Sequence, residues 1–371
     1  MHYLFVLAVH EWSGSARSFT AAARGLVARG HTVTIVVQPE SIVEQVVSQA
    51  AVTEGDSLFR IEPLSLRGVW LVAAWQLRVL VRQRRIDIVF VHTNREHLVA
   101  AAACCMGARF YIVRRIPTEH TANIHWSGRL ASWLAPTSLM FASEADLRAT
   151  AVPGRAKESV VVPLGVPFPP PSLPLVEQGE DAGTYIVCVH DASSRAQAAT
   201  AIRTVAMLAP LHHDLQLVVI GESQYDDDLR MQAAALGVLP RINFLGERAD
   251  EIHLMRGARL GWVVAGADTA AYAILDLMAL GVPVLGKEGT VAERYVLPRI
   301  TGVLLPPDDP YLTASTVAGL LSSNEQCSMM GDAARLRVAR EFSEQAMIDG
   351  FERSAVLLRQ NRPHVTKRTT L

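Results

Sequence analysis

The sequence predicts an α/β protein that folds into two Rossmann-like, doubly wound domains. The first observation is its length of 371 residues, which exceeds one ordinary hydrophobic core and suits two. The second is an alternation of short β-branched runs with longer Ala- and Leu-rich segments of helical period, which is typical of βαβ units and parallel sheets. The third is a proline-rich segment at 163–174, which indicates a linker because proline breaks both helices and strand ladders.

These observations define the expected domains and their strands. We predict a first domain at 1–170, a second at 183–345, and a C-terminal helix at 346–371 that crosses back to the first domain and ends in a frayed tail. The strands expected in the first domain are 3–9, 32–37, 88–91, 110–113, 139–142 and 160–163. Those expected in the second domain are 185–189, 217–220, 242–244, 261–264, 283–285 and 303–305.

Composition narrows the class of function. Half of the residues are hydrophobic and 19% are charged, as in a globular protein, and the net charge of −1 argues against a nucleic-acid partner. The first 180 residues carry a net charge of +3 and the remainder −4, which allows an anionic surface or substrate for the first half. Four scattered cysteines show neither metal-ligand nor disulfide spacing and suit a reducing cytosol.

Targeting and membrane signals are weak. No basic segment precedes the first strand and no apolar run reaches ~18 residues, so neither a signal peptide nor a transmembrane helix is expected. The apolar and basic segment 70–85 leaves two alternatives, a helix lying on an anionic membrane or a packed crossover helix. The second is favoured because the segment leads directly into a strand. We therefore expect a cytoplasmic protein, with peripheral contact at the inner face of the membrane as an option.

Three motifs follow strands of the first half, where ligands bind in open α/β sheets. Gly14 and Ser15 are expected at a helix N-terminus, whose N–H groups attract phosphate, although a simple tight turn would look the same. His92 could hydrogen-bond a sugar or carry a proton, or be a solvated loop residue. Arg114 and Arg115 suit an anionic ligand or a solvated sheet edge.

The most informative stretch runs from residue 268 to residue 283. Asp268 is expected in a loop after a strand, and Asp276 lies among apolar residues of the following helix, which Gly281 ends and Pro283 follows. A partly buried carboxylate at position 276 needs partners, and ribose hydroxyls would serve. The alternatives are a helix cap for Asp268 and a solvated helix face for Asp276.

The stretch resembles a family signature. Two acidic residues separated by seven others, followed by Met-Ala-x-Gly-x-Pro-Val, resemble the motif of GT-B glycosyltransferases of the family 4 type, which normally carry Glu at both positions. Further segments resemble that family in the same order. They are Ser-Gly-Ser-Ala-Arg at 13–17, Leu-Val-Val-Ile-Gly-Glu at 217–222, Arg-Ile-Asn-Phe-Leu-Gly at 241–246, Gly-Thr-Val-Ala-Glu at 289–293, Thr-Gly-Val-Leu-Leu-Pro at 301–306 and Glu-Phe-Ser at 341–343.

The resemblance implies a GT-B fold, two domains facing across a cleft, and sugar transfer from a nucleotide-diphospho-sugar with retained anomeric configuration. It assigns the transferred sugar to Asp268 and the ribose to Asp276, with Glu293 as a further donor contact. Backbone N–H groups of Thr269, Ala270 and Ala271 would face the diphosphate.

The resemblance also assigns roles to the first domain. Gly14 and Ser15 of this domain would contact the donor that the second domain holds. The acceptor, a glycan, lipid or small molecule, would lie near Arg114, Arg115 and His92, and His92 is the catalytic candidate besides Asp268. Neither a metal nor another cofactor is expected.

The sequence departs from the family at the usual phosphate-binding positions. The family carries Gly-Arg after the first strand of its second domain and a Lys five residues later, whereas this chain has His190, Asp191 and Ala196 there. Arg195 is the predicted substitute for these cations. The departure leaves three alternatives: an active transferase with an unusual donor pocket, a degenerate GT-B protein that binds a nucleotide-sugar or a partner without efficient turnover, or a sugar-nucleotide epimerase.

Overall fold

The computed structural model describes residues 1–53, 56–57, 59–66, 68–117, 125–150, 159–168, 184–191, 195–221, 225–247, 251–307 and 309–360. The chain divides into two compact units, one made of Met1–Leu164 and Glu344–Leu371, the other of Gly165–Ser343. Residues 169–174 of the predicted linker segment and the predicted tail after residue 360 lie outside the described residues.

The first unit is built around a parallel sheet. Its strands are β1 (His2–Leu7), β2 (Thr32–Val37), β3 (Val52–Thr53), β4 (Asp56–Ser57), β5 (Arg60–Pro63), β6 (Ile88–Val91), β7 (Tyr111–Arg115), β8 (Thr137–Phe141) and β9 (Ser159–Val161). The helices that precede β9 are α1 (Gly14–Ala28), α2 (Ile42–Ala51), α3 (Trp70–Arg84), α4 (Asn94–Cys105), α5 (Trp126–Leu134) and α6 (Glu144–Ala149). The sheet order is β5-β2-β1-β6-β7-β8-β9, and β3 pairs with β4 as a separate antiparallel ribbon.

The second unit repeats this architecture. Its strands are β10 (Tyr185–Val189), β11 (Gln216–Ile220), β12 (Ile242–Gly246), β13 (Leu260–Val263), β14 (Val284–Lys287) and β15 (Gly302–Leu305), in the parallel order β12-β11-β10-β13-β14-β15. Its helices are α7 (Arg195–Leu208), α8 (Asp226–Ala235), α9 (Glu251–Gly257), α10 (Ala267–Leu280), α11 (Ala292–Tyr295), α12 (Pro310–Leu321) and α13 (Asn324–Glu341).

The last helix, α14 (Glu344–Gln360), belongs to the first unit although it ends the described chain. It packs against α1, where a side chain in place of Gly25 would overlap Ile348. Phe351 of α14 contacts three phenylalanine rings of β1, α1 and β6, with ring centroids 5.2–6.0 Å apart. The helix therefore completes the hydrophobic core of the first unit.

The predicted fold class is confirmed, and every predicted strand is present within a few residues of its expected position. The segment after residue 70 forms α3, which buries Ala73, Ala74 and Leu77 and leads into β6, so the packed crossover helix is present; contact of its exposed side with a membrane is a separate question. One expected placement is wrong, because Asp268 lies in the first turn of α10 rather than in a loop. Three short strands, β3, β4 and β5, were not predicted. The sequence of β5, Arg-Ile-Glu-Pro, gives no apolar run at this sheet edge.

Candidate active site

Each sheet has one point where the strand order reverses, and such points are where open α/β sheets bind ligands. In the first sheet it lies between β1 and β6, and in the second between β10 and β13. All these strands are parallel to their neighbours, so the residues that follow them gather at one edge of each sheet. The predicted site residues of each unit follow these strands or their neighbours.

In the second unit, Asp191 lies at this point. It follows β10, and its Oδ2 accepts a hydrogen bond of 2.6 Å from the backbone N–H of Gly266, the N-cap residue of α10. Gly266 has no side chain to cap the helix, so Asp191 supplies the carboxylate that the positive end of the helix favours. The residue at the family's arginine position thus brings a negative charge to the helix start.

The helix α10 carries most of the predicted donor residues. Thr269 is exposed in its first turn, whereas all residues from 270 to 279 are buried. The N–H of Ala270 donates to the carbonyl of Gly266 at 2.7 Å, and Ala271 lies one residue further into the helix, where N–H groups bond within the helix. The prediction that the N–H groups of Ala270 and Ala271 face a diphosphate is therefore wrong. Only N–H groups of the first turn have no carbonyl partner within the helix. The side chain of Asp268 lies outside the described part.

Asp276 lies in the middle of α10 with 5% of its surface exposed. The alternative of a solvated helix face is therefore wrong, and the expected burial is confirmed. Its neighbours in the helix, Leu275 and Leu277, are fully buried. A carboxylate in such surroundings requires polar partners, because its desolvation is costly.

Glu293 lies on the short helix α11, after β14. Its carboxylate accepts a 2.7 Å hydrogen bond from the N–H of Gly289, which has a φ of +74°. This contact closes the turn that follows the strand. The side chain is exposed, and it is at the sheet edge where α10 begins, because β13 and β14 are parallel neighbours.

The predicted substitute cation, Arg195, begins α7 and already has partners. It forms a 2.9 Å ion pair with Asp228 and lies 5.1 Å from the centre of the Tyr225 ring. Nearby, a cavity of about 290 Å³ is lined by Ala196, where the family carries its lysine, and by Lys287 at the end of β14. Lys287 is thus a second cation beside the altered position, one that the sequence analysis missed.

His190 is a second missed residue at this edge. Its side chain is fully buried, and its Nε2 lies 3.6 Å from Oδ1 of Asp226, the first residue of α8. Neither ring nitrogen has a hydrogen-bond partner in the described structure. The backbones of His190 and Gly221 approach each other closely. A Cβ on Gly221, which has a φ of +104°, would lie 2.1 Å from the His190 carbonyl oxygen.

In the first unit, Gly14 and Ser15 form the first turn of α1, as predicted. Ser13 is the N-cap residue, and its hydroxyl accepts a hydrogen bond from the N–H of Ala16 at 3.2 Å. Ser15 is buried, and Gly14 is half-buried. The helix N-terminus that the sequence predicted is therefore present.

His92 follows β6 and is held by Glu96 of α4. Oε2 of Glu96 lies 2.9 Å from His92 Nδ1 and accepts hydrogen bonds from the N–H groups of His92 and Thr93. Oε1 accepts a further hydrogen bond of 2.9 Å from Ala8, after β1. Burial alone raises the pKa of Glu96, but His92 and these N–H groups outweigh it and hold the pKa below its usual value. His92 is buried and oriented rather than a solvated loop residue.

Arg114 and Arg115 point to opposite faces of the first sheet, and both are only 3% exposed, so the solvated-edge alternative is wrong. Arg114 bonds to Asn94 at 2.7 Å and to His97 at 3.2 Å, both on α4. Burial lowers the pKa of Arg114 to about 10 although Glu96 opposes the shift. Arg114 thus holds α4 against the sheet through these hydrogen bonds.

Arg115 differs from its neighbour. Its guanidinium carbon lies 5.8 Å from the centre of the Phe351 ring, and neither terminal nitrogen has a hydrogen-bond partner in the described structure. An unpaired buried guanidinium is costly unless an anion meets it. Of the two arginines, Arg115 is the one whose terminal nitrogens the packing leaves unpaired.

Comparison with known families agrees with this architecture. A model described as Glycosyltransferase Family 4 matches residues 12–171, and one described as Glycosyl transferases group 1 matches residues 177–337. The chain belongs to the GT-B glycosyltransferases of this type. No curated protein sequence matches it with significance.

Solved structures of similar fold include a glycosyltransferase from Rickettsia africae, 15% identical over 97% of this chain and 99% of that one, with a TM-score of 0.79. Anabaena HepE in complex with UDP is 19% identical over 96% and 100%, with a TM-score of 0.78. Sucrose-phosphate synthase from Thermosynechococcus elongatus is 14% identical over 97% and 100%, with a TM-score of 0.75. At these identities the likeness establishes the fold.

Some residues of this glycosyltransferase could have been found from the sequence. Glu96 stands three residues after Thr93, which is the spacing of a capping box, and the structure contains that box. The hydrogen bond between Asp191 and Gly266 joins residues 75 positions apart, so no local sequence pattern predicts it. Lys287 ends a strand, so the rule that located the other candidates applies to it as well.

Proposed function

We propose that this glycosyltransferase moves a sugar from a nucleotide-diphospho-sugar to an acceptor with retained anomeric configuration. The observation that carries the proposal is the family match to the second unit, combined with the start of α10 at the point where the second sheet reverses its strand order. The structures of HepE with UDP and with UDP-glucose support this class of donor. No metal or other cofactor takes part in the proposed reaction.

On the second unit, we assign the ribose to Asp276 and the transferred sugar to Asp268. The match of the stretch 268–284 to the family signature supports this role, and the helix α10 that carries both residues starts at the strand-order reversal of the second sheet. Thr269 offers an N–H group in the first turn of α10, where anions bind favourably. Lys287 is the better candidate for the phosphate contact, because Arg195 is already paired with Asp228. Glu293 is retained as a contact from the next strand end.

On the first unit, we assign the acceptor to His92 and Arg115. Glu96 fixes the ring of His92 through Nδ1, so proton transfer or hydrogen bonding to substrate would use Nε2. The unpaired terminal nitrogens of Arg115 suit an anionic group on the acceptor, such as a phosphate or carboxylate.

A second candidate function is binding of a nucleotide-sugar without efficient turnover. The position of Asp191 favours it, because its carboxylate already occupies the N-terminus of α10, where the diphosphate is expected. A negative charge there opposes the build-up of charge on a departing diphosphate, and stabilising that charge is usually the largest catalytic contribution.

A panel of UDP-, GDP-, ADP- and CMP-sugars tests the first requirement. A donor at a hundred times its Kd adds about 2.7 kcal/mol of stability, so the melting temperature should rise by about 5–10 °C. The Asp276→Asn variant should lose most of this rise, whereas Asp332→Asn, which changes an exposed helical aspartate of the same unit, should keep it. No rise with any donor contradicts both functions.

Turnover separates the two candidates. The active enzyme should release the nucleoside diphosphate by hydrolysis or transfer, and NMR of the product should give the same anomeric configuration as the donor. Donor binding without release over long incubation supports the binding protein. An inverted product contradicts the retaining mechanism while leaving the donor assignment intact.

A further inference from the structure

The helices α3 and α5 of the first unit present large apolar side chains to solvent. We call this surface the tryptophan face. It holds four of the six tryptophans of the chain. Its members are Val69, Trp70, Leu71, Val72 and Trp75 at the start of α3, and Trp126, Leu130 and Trp133 on α5. The exposed fractions reach 55% for Trp75, 68% for Trp126 and 61% for Trp133. Exposed apolar clusters of this kind mark sites of interaction.

The pattern on α5 is the reverse of an ordinary surface helix. Trp126, Leu130 and Trp133 follow one another at spacings of four and three residues, so they form one stripe, and that stripe faces solvent. The fully buried residues of α5 are all small, Gly128, Ala131 and Ser132, and Leu134 is the large apolar residue that packs partly against the core. A globular helix normally turns its large apolar side chains inward, so this exposed stripe marks α5 as part of an interaction surface.

The two helices belong to one layer. Buried residues of α3, α4 and α5 share a single hydrophobic cluster against the first sheet, and α4 packs against both of the others. Since the axes of packed helices lie about 8–10 Å apart and α4 lies between the two, the axes of α3 and α5 are at most about 20 Å apart on one side of the sheet. The tryptophans can therefore meet one flat partner together.

The charge around this layer is strongly positive. Residues 64–143, which contain α3, α4 and α5, include ten arginines and only three acidic residues. The whole first unit has 22 Lys and Arg against 15 Asp and Glu, a net charge of +7, whereas the second unit has 13 against 21, a net charge of −8. Arg82 and Arg85 near the end of α3 and Arg129 on α5 are exposed.

We propose that the tryptophan face docks on the surface of an anionic lipid membrane. Tryptophan favours the boundary between headgroups and acyl chains, and arginines beside it gain from the negative potential of the lipids. A second copy of this chain would bring two positively charged faces together, which is unfavourable. No helix of the described residues is long and apolar enough to span a bilayer, so this contact is peripheral. The proposal does not depend on the proposed sugar transfer.

Co-sedimentation of the full chain with vesicles tests the proposal without any substrate. The chain should pellet with phosphatidylcholine vesicles that contain phosphatidylglycerol, and binding should weaken with added salt or with phosphatidylcholine alone. The double variant Trp126→Ser/Trp133→Ser should bind about tenfold more weakly or worse, since two apolar anchors are lost. The control Leu211→Ser/Met231→Ser, which changes exposed apolar residues of the second unit, should bind as the parent does.

Two further measurements keep the test decisive. Thermal unfolding should be the same for both double variants, which excludes loss of fold as the cause. The triple variant Arg82→Gln/Arg85→Gln/Arg129→Gln should lose most of the difference between anionic and neutral vesicles. No binding of the parent to anionic vesicles overturns the proposal, and so does equal binding by the tryptophan variant. A dimer in sedimentation velocity that the tryptophan variant abolishes overturns it in favour of a second copy.

Discussion

Replacement of Glu96 by glutamine tests how far the first unit depends on its buried carboxylate. The two oxygens of Glu96 accept three backbone N–H groups and contact the ring of His92. A glutamine offers one oxygen and one NH2 group, so at least one buried N–H loses its acceptor, at a cost of about 1–3 kcal/mol. The remaining bonds lose their charge, which brings the expected loss to about 3 kcal/mol.

For a unit of this size, each kcal/mol changes the melting temperature by about 2–4 °C, so Glu96→Gln should lower it by about 6–12 °C. Differential scanning calorimetry is the suitable assay because the two units can unfold in separate transitions. Glu144→Gln is the matched control, since Glu144 also lies in the first turn of a helix but is exposed. If Glu96→Gln has no larger effect than Glu144→Gln, the structural role given to Glu96 is wrong.

The effect should depend on pH in a defined direction. The pKa of Glu96 is lowered from the usual 4.5, so the charged form stabilises the fold above that pH. This contribution decreases as the pH falls through the lowered pKa. The difference in melting temperature between the parent and Glu96→Gln should therefore be full near neutral pH and shrink in acid. A difference that grows in acid contradicts the assignment.

Three further predictions follow from other contacts. Asp191→Asn should raise affinity for a nucleotide-diphospho-sugar by about tenfold in equilibrium titration, because it removes a negative charge at the helix start; an unchanged or weaker affinity contradicts the placement of the diphosphate. Gly221→Ala should lower the melting temperature of the second unit by several degrees, since its Cβ would overlap the His190 carbonyl at a positive φ; equal stability would show that the turn relaxes. Burial and then Arg114 hold the pKa of His97 well below 6.5, so its ring signals in NMR should still be those of the neutral form at pH 6.5, where an ordinary histidine is half protonated; titration centred near pH 6.5 excludes this environment.

The fold could be predicted from the sequence because each buried strand is a short run of apolar residues. The edge strand β5 could not, because its burial is partial and its sequence is polar. The rule that ligands gather at strand ends pointed to His92 and Arg115, since it needs only the order of strand and helix, whereas Asp191 emerged only from comparison with the family motif.

The orientation of those side chains could not be predicted in the same way. The adjacent Arg114 and Arg115 are equivalent in the sequence pattern. The pleat of β7 turns them to opposite faces, so Arg114 bonds to α4 and the terminal nitrogens of Arg115 stay unpaired. The carboxylate of Asp191 meets Gly266 through a contact between strands that are distant in sequence. The tryptophans of α5 have the spacing of a core-facing stripe. The sequence alone therefore cannot show that they face solvent, and only their exposure in the structure does.

The position of α14 has a consequence for how the protein is made. The first unit begins at Met1, but its core lacks Phe351, Met347 and Ile348 until the last helix is added. A nascent chain emerging from the ribosome can therefore finish the second unit, Gly165–Ser343, while the first still exposes the groove along α1. Loss of the final 28 residues should impair the unit that was synthesised first and spare the one that adjoins the cut.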